Sequence, residues 1–250
     1  MNLEYTGAYI IYDFLDEPCD TFKDVSWDKF TINQSILARN GCFQGIPNQY
    51  GDYPWLRCPS ISTVLPVTDG IKKLADTIKT KLNYTTNIFK MQDYLDGAIG
   101  IAPHADKIID LDDKTPIFIA RFGATRQCIL THKKTKDKIE IDMPHNSLLV
   151  IPYSCNLAWK HHIQKDTSIK EPSYSVVLRN SITYKCQEKG VLYGANTPLK
   201  TKEYLIDLKP EQFWPKEKQL YEIVKLYNIE NNNICDISVY KEIIDNCIYP

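Results

Sequence analysis

His104 and Asp106 stand two apart in "GIAPHADKIID". In an extended segment, side chains at that spacing leave the same face of the backbone. An imidazole and a carboxylate could therefore meet one cation while Ala105 turns into the opposite layer. With 5 histidines and 31 acidic residues in the chain, such a pair arises easily by chance, so a third ligand decides whether it is a site. The stretch "NSLLVIPYSCNLAWKHHIQKD" offers one, because the adjacent pair His161 and His162 follows the strongest apolar strand. Two histidines and one carboxylate on one side of an ion describe the facial triad of non-haem iron(II) oxygenases, which leaves three positions open. A zinc site is the other reading, but it needs a separate base and gives no reason for what lies downstream.

Downstream is "SVVLRNSITYK". In a strand, Arg179, Ser181 and Thr183 share one face, so a guanidinium and two hydroxyls line one wall. The fork of an arginine suits a carboxylate in bidentate geometry. A dicarboxylate could then chelate the ion with one end and meet Arg179 and Ser181 with the other.

The elements that must position these residues are mostly strands. Period-two patterning predicts strands at Ile88–Tyr94, Pro116–Phe122, Gln127–Thr131, Lys138–Ile141, Ser147–Pro152 and Tyr174–Tyr184, with the lysine-rich tip "THKKTKDK" between two of them. Ile71, Leu74, Ala75, Ile78 and Leu82 fit one helix face, with Thr68 or Asp69 as its cap, and that helix reads as a buttress for a sheet. Residues 42–66 are rich in Gly, Pro and aromatics without a sustained period, which predicts an ordered loop or short strand pair over a pocket. Near the C-terminus, Leu220, Ile223, Val224 and Tyr227 form a second helix stripe, followed by a turn at "NNN" (231–233). Strands at this spacing suit a closed or two-layered antiparallel domain, of which the jelly roll is one form.

The bulk composition sets wide bounds. A chain of 250 residues can bury one large core, and 43% hydrophobic with 24% charged residues is ordinary for a globular protein. A net charge of -1 gives no bulk argument for nucleic acid, although a local basic patch is compatible with it. No apolar run reaches the length of a membrane span, and the opening residues are too charged for a signal segment. The 8 cysteines form no CxxC pair and read as free thiols in an intracellular, reducing compartment, nuclear or cytoplasmic. A monomer is the expected state.

In "QDYLDGAIGIAPHAD", Gln92, Tyr94, Asp96, Gly97, His104 and Asp106 follow an order of residues that resembles the AlkB-like family of Fe(II)- and 2-oxoglutarate-dependent dioxygenases, whose pattern runs Asn-x-Tyr, Asp-Gly and His-x-Asp. "PIFIARFGATRQCIL" looks like that family's strand and glycine turn. "NSLLVIP" and "WKHHI" resemble its strand and distal-histidine segment, and "IPNQYGDYPW" resembles the lid of its nucleic-acid-repair branch. The resemblance covers roughly residues 7 to 185. It departs from the family at Gln92, which replaces an asparagine, at Lys185, which replaces a second arginine, and at Asn48, where the lid's arginine stands.

The resemblance implies a mainly β fold with flanking helices around a double-stranded β-helix, or jelly-roll, core. A dioxygenase domain would occupy 1–194, with a lid at about 40–66. Residues 195–250 would form a helical C-terminal extension available to a protein partner. It also implies His104, Asp106 and His161 as catalytic iron ligands, with His162 outside the set. Gln92 would sit near the keto end of 2-oxoglutarate, Tyr94, Arg179 and Ser181 at its far carboxylate, and Lys185 in the place of the second arginine. Tyr50, Tyr53 and Trp55 become candidates to support a substrate base, and Lys133 and Lys134 candidates for phosphates. The implied activity uses Fe(II), 2-oxoglutarate and molecular oxygen to demethylate N-alkylated bases of DNA or RNA, releasing formaldehyde, succinate and CO2. Two alternatives stay open: an oxygenase of the same kind acting on a protein or small molecule, and an inactive nucleic-acid-binding or structural protein.

Overall fold

The computed structural model describes residues 2–18, 20–32, 35–56, 63–195, 197, 199–205, 225 and 228–232. In chain order the strands are β1 (Tyr9–Ile11), β2 (Asp28–Ile32), β3 (Ser35–Gly45), β4 (Tyr53–Pro54) and β5 (Val64–Pro66). Helix α1 (Asp69–Leu82) comes next, then β6 (Ile88–Tyr94), β7 (Ile101–His104), β8 (Ile117–Gly123), β9 (Arg126–His132), β10 (Lys138–Met143) and β11 (Ser147–Ile151). The short helix α2 (Tyr153–Ala158) precedes β12 (Trp159–Ile163), β13 (Ser173–Arg179), β14 (Thr183–Lys185) and β15 (Leu192–Gly194).

These strands form two principal sheets. The larger runs β1-β11-β8-β13-β6-β3-β2, with β5 beside β3, and the smaller runs β10-β9-β12-β7. The alternation of side chains on β8 shows how the sequence assigns their faces. Ile117 and Ile119 join Leu130, Ile139, Ile141 and Val177 in the cluster between the sheets, whereas Phe118, Ala120 and Phe122 face outward. On that outer face lie Ile71, Leu74, Ala75 and Ile78 of α1, in one cluster with Phe89, Met91, Val176 and Leu178. The helix therefore buttresses the large sheet, as its stripe predicts. Thr68 precedes it, but its backbone N–H and its hydroxyl both donate to the Gln44 side chain, so this residue ties the helix start to β3 instead of capping it. The architecture is the expected mainly β jelly roll.

Three local expectations are corrected. Residues 42–45, expected in an ordered loop or short strand pair, continue the long strand β3 and pair with β6, from Cys42 opposite Met91 to Gly45 opposite Ile88. Cys42 faces outward and Phe43 inward, an alternation that the neighbouring Gly and Pro residues obscure in the sequence. The predicted strand Tyr174–Tyr184 is two strands. It breaks because Asn87 takes over the ladder bonds at Ser181, accepting its N–H at 2.7 Å and donating to its carbonyl at 2.9 Å. The chain then crosses into a separate sheet, β15-β14-β4. Finally, β7 and β12, which carry the histidines, are strands that the period-two pattern alone did not predict.

The helix stripe at 220–227 lies outside the described residues except for position 225, as do residues 57–62 of the expected lid. The cysteines Cys42, Cys128, Cys155 and Cys186 are free and buried. Among the described residues, no helix is long and apolar enough to cross a membrane.

Candidate active site

His104 ends β7, and His161 lies opposite it in the ladder between β7 and β12. Their rings are 4.4 Å apart between centroids. Asp106 follows in the loop after β7, with one carboxylate oxygen 3.8 Å from His104 Nε2 and 4.0 Å from His161 Nε2. One ligand atom from each of the three residues lies within 4.8 Å of the others, and no other such group occurs among the described residues. Ring Nδ1 of His104 is 2.9 Å from the Ala102 carbonyl oxygen, which orients the imidazole with Nε2 towards Asp106.

The remaining histidines stand apart. His162 alternates away from the buried face of β12. The Thr135 hydroxyl lies 2.9 Å from His132 Nδ1, and Gly123 N–H donates to His145 Nδ1.

The loop that presents Asp106 is fixed by side chains distant in sequence. Asn156 of α2 accepts the Asp106 N–H at 2.8 Å and donates to its carbonyl at 3.0 Å. Asn231 accepts the Ala105 N–H and Glu230 accepts the Ile108 N–H, so a helical turn at 228–232 closes over the same loop. On the other side, Arg126 donates to the carbonyls of Asp96, Ile99 and Gln164, clamping the approaches to β7 and the exit from β12. Gly97 fits between these approaches because a Cβ there would lie 1.7 Å from the Asp166 carbonyl oxygen.

The second oxygen of Asp106 accepts from Arg179 twice, from Nε at 2.8 Å and Nη2 at 2.5 Å. Burial raises the pKa of this carboxylate, but Arg179 and the two histidines more than offset it and hold the group well below the usual range. Burial pushes both imidazoles below their ordinary value, and each is further opposed by a nearby cationic or imidazole group. Neutral imidazole nitrogens beside an ionised carboxylate with one uncommitted oxygen are a donor set suited to a divalent cation. The triad fits iron(II).

The other predicted residues are placed as follows. Gln92 and Tyr94 lie on β6 and are buried, and the Gln92 amide nitrogen has no hydrogen-bond partner. Arg179 ends β13, where its fork is spent on Asp106. Ser181 lies beyond that strand, not along it. Its hydroxyl is 2.6 Å from the Trp55 carbonyl and also within reach of those of Asp110 and Thr183. Lys185 sits on β14 with its ammonium 4.8 Å from the Trp55 ring centre. Tyr53 and Trp55 are half-buried against the inner core, while Tyr50 is exposed and donates to Glu203. Lys134 is exposed, but Lys133 is buried and donates to the Glu230 carbonyl at 2.7 Å. The structure thus turns Lys133 towards the C-terminal segment and away from solvent.

The sequence reading missed Asn156, Arg121, Arg126, Glu230 and Asn231. Arg121 and Arg126 carry a local signal, since period-two alternation places Arg121 on the face of Ile117 and Ile119 and Arg126 on that of Cys128 and Leu130.

Comparison with known proteins agrees with this geometry. The 2OG-Fe(II) oxygenase superfamily matches residues 35–185, more than half of the chain. The human protein described as DNA oxidative demethylase ALKBH2 is 24% identical over 123 residues, which is 46% of this chain and 47% of that protein. The mouse protein of the same description is 24% identical over 131 residues, 49% of this chain and 55% of its own. The match thus spans about half the length of these relatives. Among solved structures, that of OsALKBH1 superposes with a TM-score of 0.52 at 11% identity, covering 70% of this chain and 98% of the other, a likeness of fold. This chain belongs to the 2OG-Fe(II) oxygenase superfamily and is similar to AlkB-like proteins; the family implies iron(II), 2-oxoglutarate and dioxygen, and His104, Asp106 and His161 could hold the iron.

Proposed function

We propose that this protein oxidatively demethylates N-alkylated bases of DNA or RNA. The observation that carries the reading is the His104, Asp106 and His161 triad on the paired strands β7 and β12, within a chain similar to proteins named as DNA oxidative demethylases. When bound there, iron(II) with 2-oxoglutarate and dioxygen supplies oxidation of a C–H bond, leaving succinate and CO2.

The chain's own residues supply position and charge. His104 and His161 offer neutral nitrogens, and Asp106 remains ionised because Arg179 holds its other oxygen. Asn156 fixes the backbone on both sides of the Asp106 peptide, so the carboxylate need not be ordered when the metal arrives. The Gln92 amide nitrogen, buried without a partner, is available to a polar cosubstrate. A base in a duplex must leave its stack to reach a buried centre. Exposed Tyr50 and half-buried Trp55 are the aromatic faces of the lid that could receive it, and Lys134 is a candidate for a phosphate. Hydroxylation of an N-methyl carbon gives an N-hydroxymethyl product that collapses to formaldehyde and the free base.

The test offers the iron-loaded protein a panel of N-methylated DNA and RNA oligonucleotides with 2-oxoglutarate. Loss of one CH2 per event, matched by formaldehyde and succinate, is expected. Succinate formation without any change in oligonucleotide mass would move the substrate to a protein or small molecule. No succinate from metal-loaded protein would leave the inactive binding protein.

A further inference from the structure

Arg121 lies on β8, on the face shared with Ile117 and Ile119, and is 1% exposed. Its Nη2 donates to the Ser173 hydroxyl at 3.0 Å, and its guanidinium carbon stands 4.9 Å from the centre of the Tyr94 ring. Nε and Nη1 are buried without a hydrogen-bond partner, and no carboxylate pairs with the group among the described residues. An arginine kept charged in an apolar interior without a counter-ion is costly. Its immediate neighbours share the same deficit. In the ladder, Ser175 of β13 lies opposite Arg121 on one side and Gln92 of β6 on the other. The Ser175 hydroxyl and the Gln92 amide nitrogen are also buried without partners.

Three adjacent strands therefore aim N–H and O–H groups with idle donors into one interior. A ligand that satisfies them must be rich in acceptors and negatively charged, and a carboxylate matches a guanidinium with two free N–H groups. This row lies on the face of β13 that also carries Val177 and Arg179, about 13 Å along the strand from Arg179 to Ser175 at ordinary strand rise. Arg179 cannot serve the same end, because both its Nε and Nη2 are engaged by Asp106.

We infer that Arg121, with Ser173, Ser175 and Tyr94 beside it, receives the far carboxylate of 2-oxoglutarate, and that Arg179 is a positioning residue for Asp106. The inference rests on the dioxygenase reading and changes which strand anchors the cosubstrate. It assigns β8 to the dicarboxylate and the end of β13 to the metal.

The experiment is anaerobic calorimetric titration of the whole manganese-loaded protein. The titrants are 2-oxoglutarate and 2-oxobutyrate, which keeps the chelating end but lacks the far carboxylate. Arg121→Met is expected to weaken 2-oxoglutarate binding roughly 100-fold, the effect of truncating one partner of a buried charge pair. Binding of 2-oxobutyrate and of manganese should stay as in the wild type. Arg121→Lys, which preserves the charge and serves if the Met variant misfolds, should recover only part of the loss. Arg179→Lys should instead weaken manganese. Wild-type affinity for 2-oxoglutarate in both Arg121 variants would overturn the assignment alone. A wild-type protein that binds manganese but neither 2-oxo acid would overturn the dioxygenase reading, and the assignment with it.

Discussion

Asp106 and Asp52 are both buried carboxylates facing a cation, one between the principal sheets and the other beneath the small β15-β14-β4 sheet. Asp52 is fully committed: one oxygen accepts the Gln187 N–H at 2.8 Å, and the other accepts the Tyr193 hydroxyl at 2.7 Å and Lys202 at 3.0 Å. Asp106 gives one oxygen to Arg179 and leaves the other facing two imidazoles. Burial and charge pairing alone do not separate a structural carboxylate from a ligand. The uncommitted oxygen does. The same criterion grades Arg126, whose Nη1 and Nη2 donate to backbone carbonyls and which leaves only Nε idle, against Arg121, which keeps both Nε and Nη1 idle.

The comparison breaks most sharply at the histidines. His161→Ala should abolish turnover and reduce metal affinity beyond detection, whereas His162→Ala, one residue along and on the other face, should leave both near the wild type. A metal titration of the two variants checks this, and normal metal binding by His161→Ala would place the third ligand elsewhere. Arg179→Lys comes next. It retains the charge beside Asp106 but loses the fork, and metal affinity should fall about 10- to 100-fold, as for other groups that orient a ligand. Asn156→Ala frees the Asp106 peptide without touching its carboxylate and should cost metal affinity about 10-fold, at the low end of that range.

The smallest effect on the metal belongs to Asp52→Asn, which should leave metal binding unchanged. It should instead lower stability by about 1–3 kcal/mol at neutral pH, the cost of leaving buried donors unsatisfied. Burial raises the pKa of Asp52, but the Gln187 N–H, Tyr193 and Lys202 together bring it below the ordinary carboxylate value. A group depressed on folding contributes stability that is full above its unfolded pKa and is lost as pH falls through the folded one. The difference between wild type and Asp52→Asn in thermal melts should therefore be constant near neutrality and shrink below about pH 4, the unfolded aspartate value. A difference that grew on acidification would remove Asp52 from this role.

The clustering of His104, Asp106 and His161 was legible because its signal is local. A two-residue spacing and an adjacent histidine pair survive without knowledge of the fold. The helix α1 was legible for the same reason, since its stripe meets a single surface. Continuity from Arg179 to Lys185 was misread, because the break depends on Asn87, 94 residues from Ser181. Arg121 was hidden differently. Its place inside the sheets follows from alternation, but its lack of a counter-ion appears only when Ser173, Ser175, Gln92 and Tyr94 are assembled around it. Nothing in "THKKTKDK" distinguishes buried Lys133 from exposed Lys134, because the partner of Lys133 is the Glu230 carbonyl.

The closure of the Asp106 loop by residues 230 and 231 also sets an order of events during synthesis. Ala105 and Ile108 are separated from Asn231 and Glu230 by 126 and 122 residues. At ordinary translation speeds the ribosome needs on the order of ten seconds to add that length. Throughout that interval His104 and Asp106 can both be present, but two N–H groups of the loop have only water to satisfy them. The loop that carries Asp106 therefore gains these two partners only after every strand of the two principal sheets has been made.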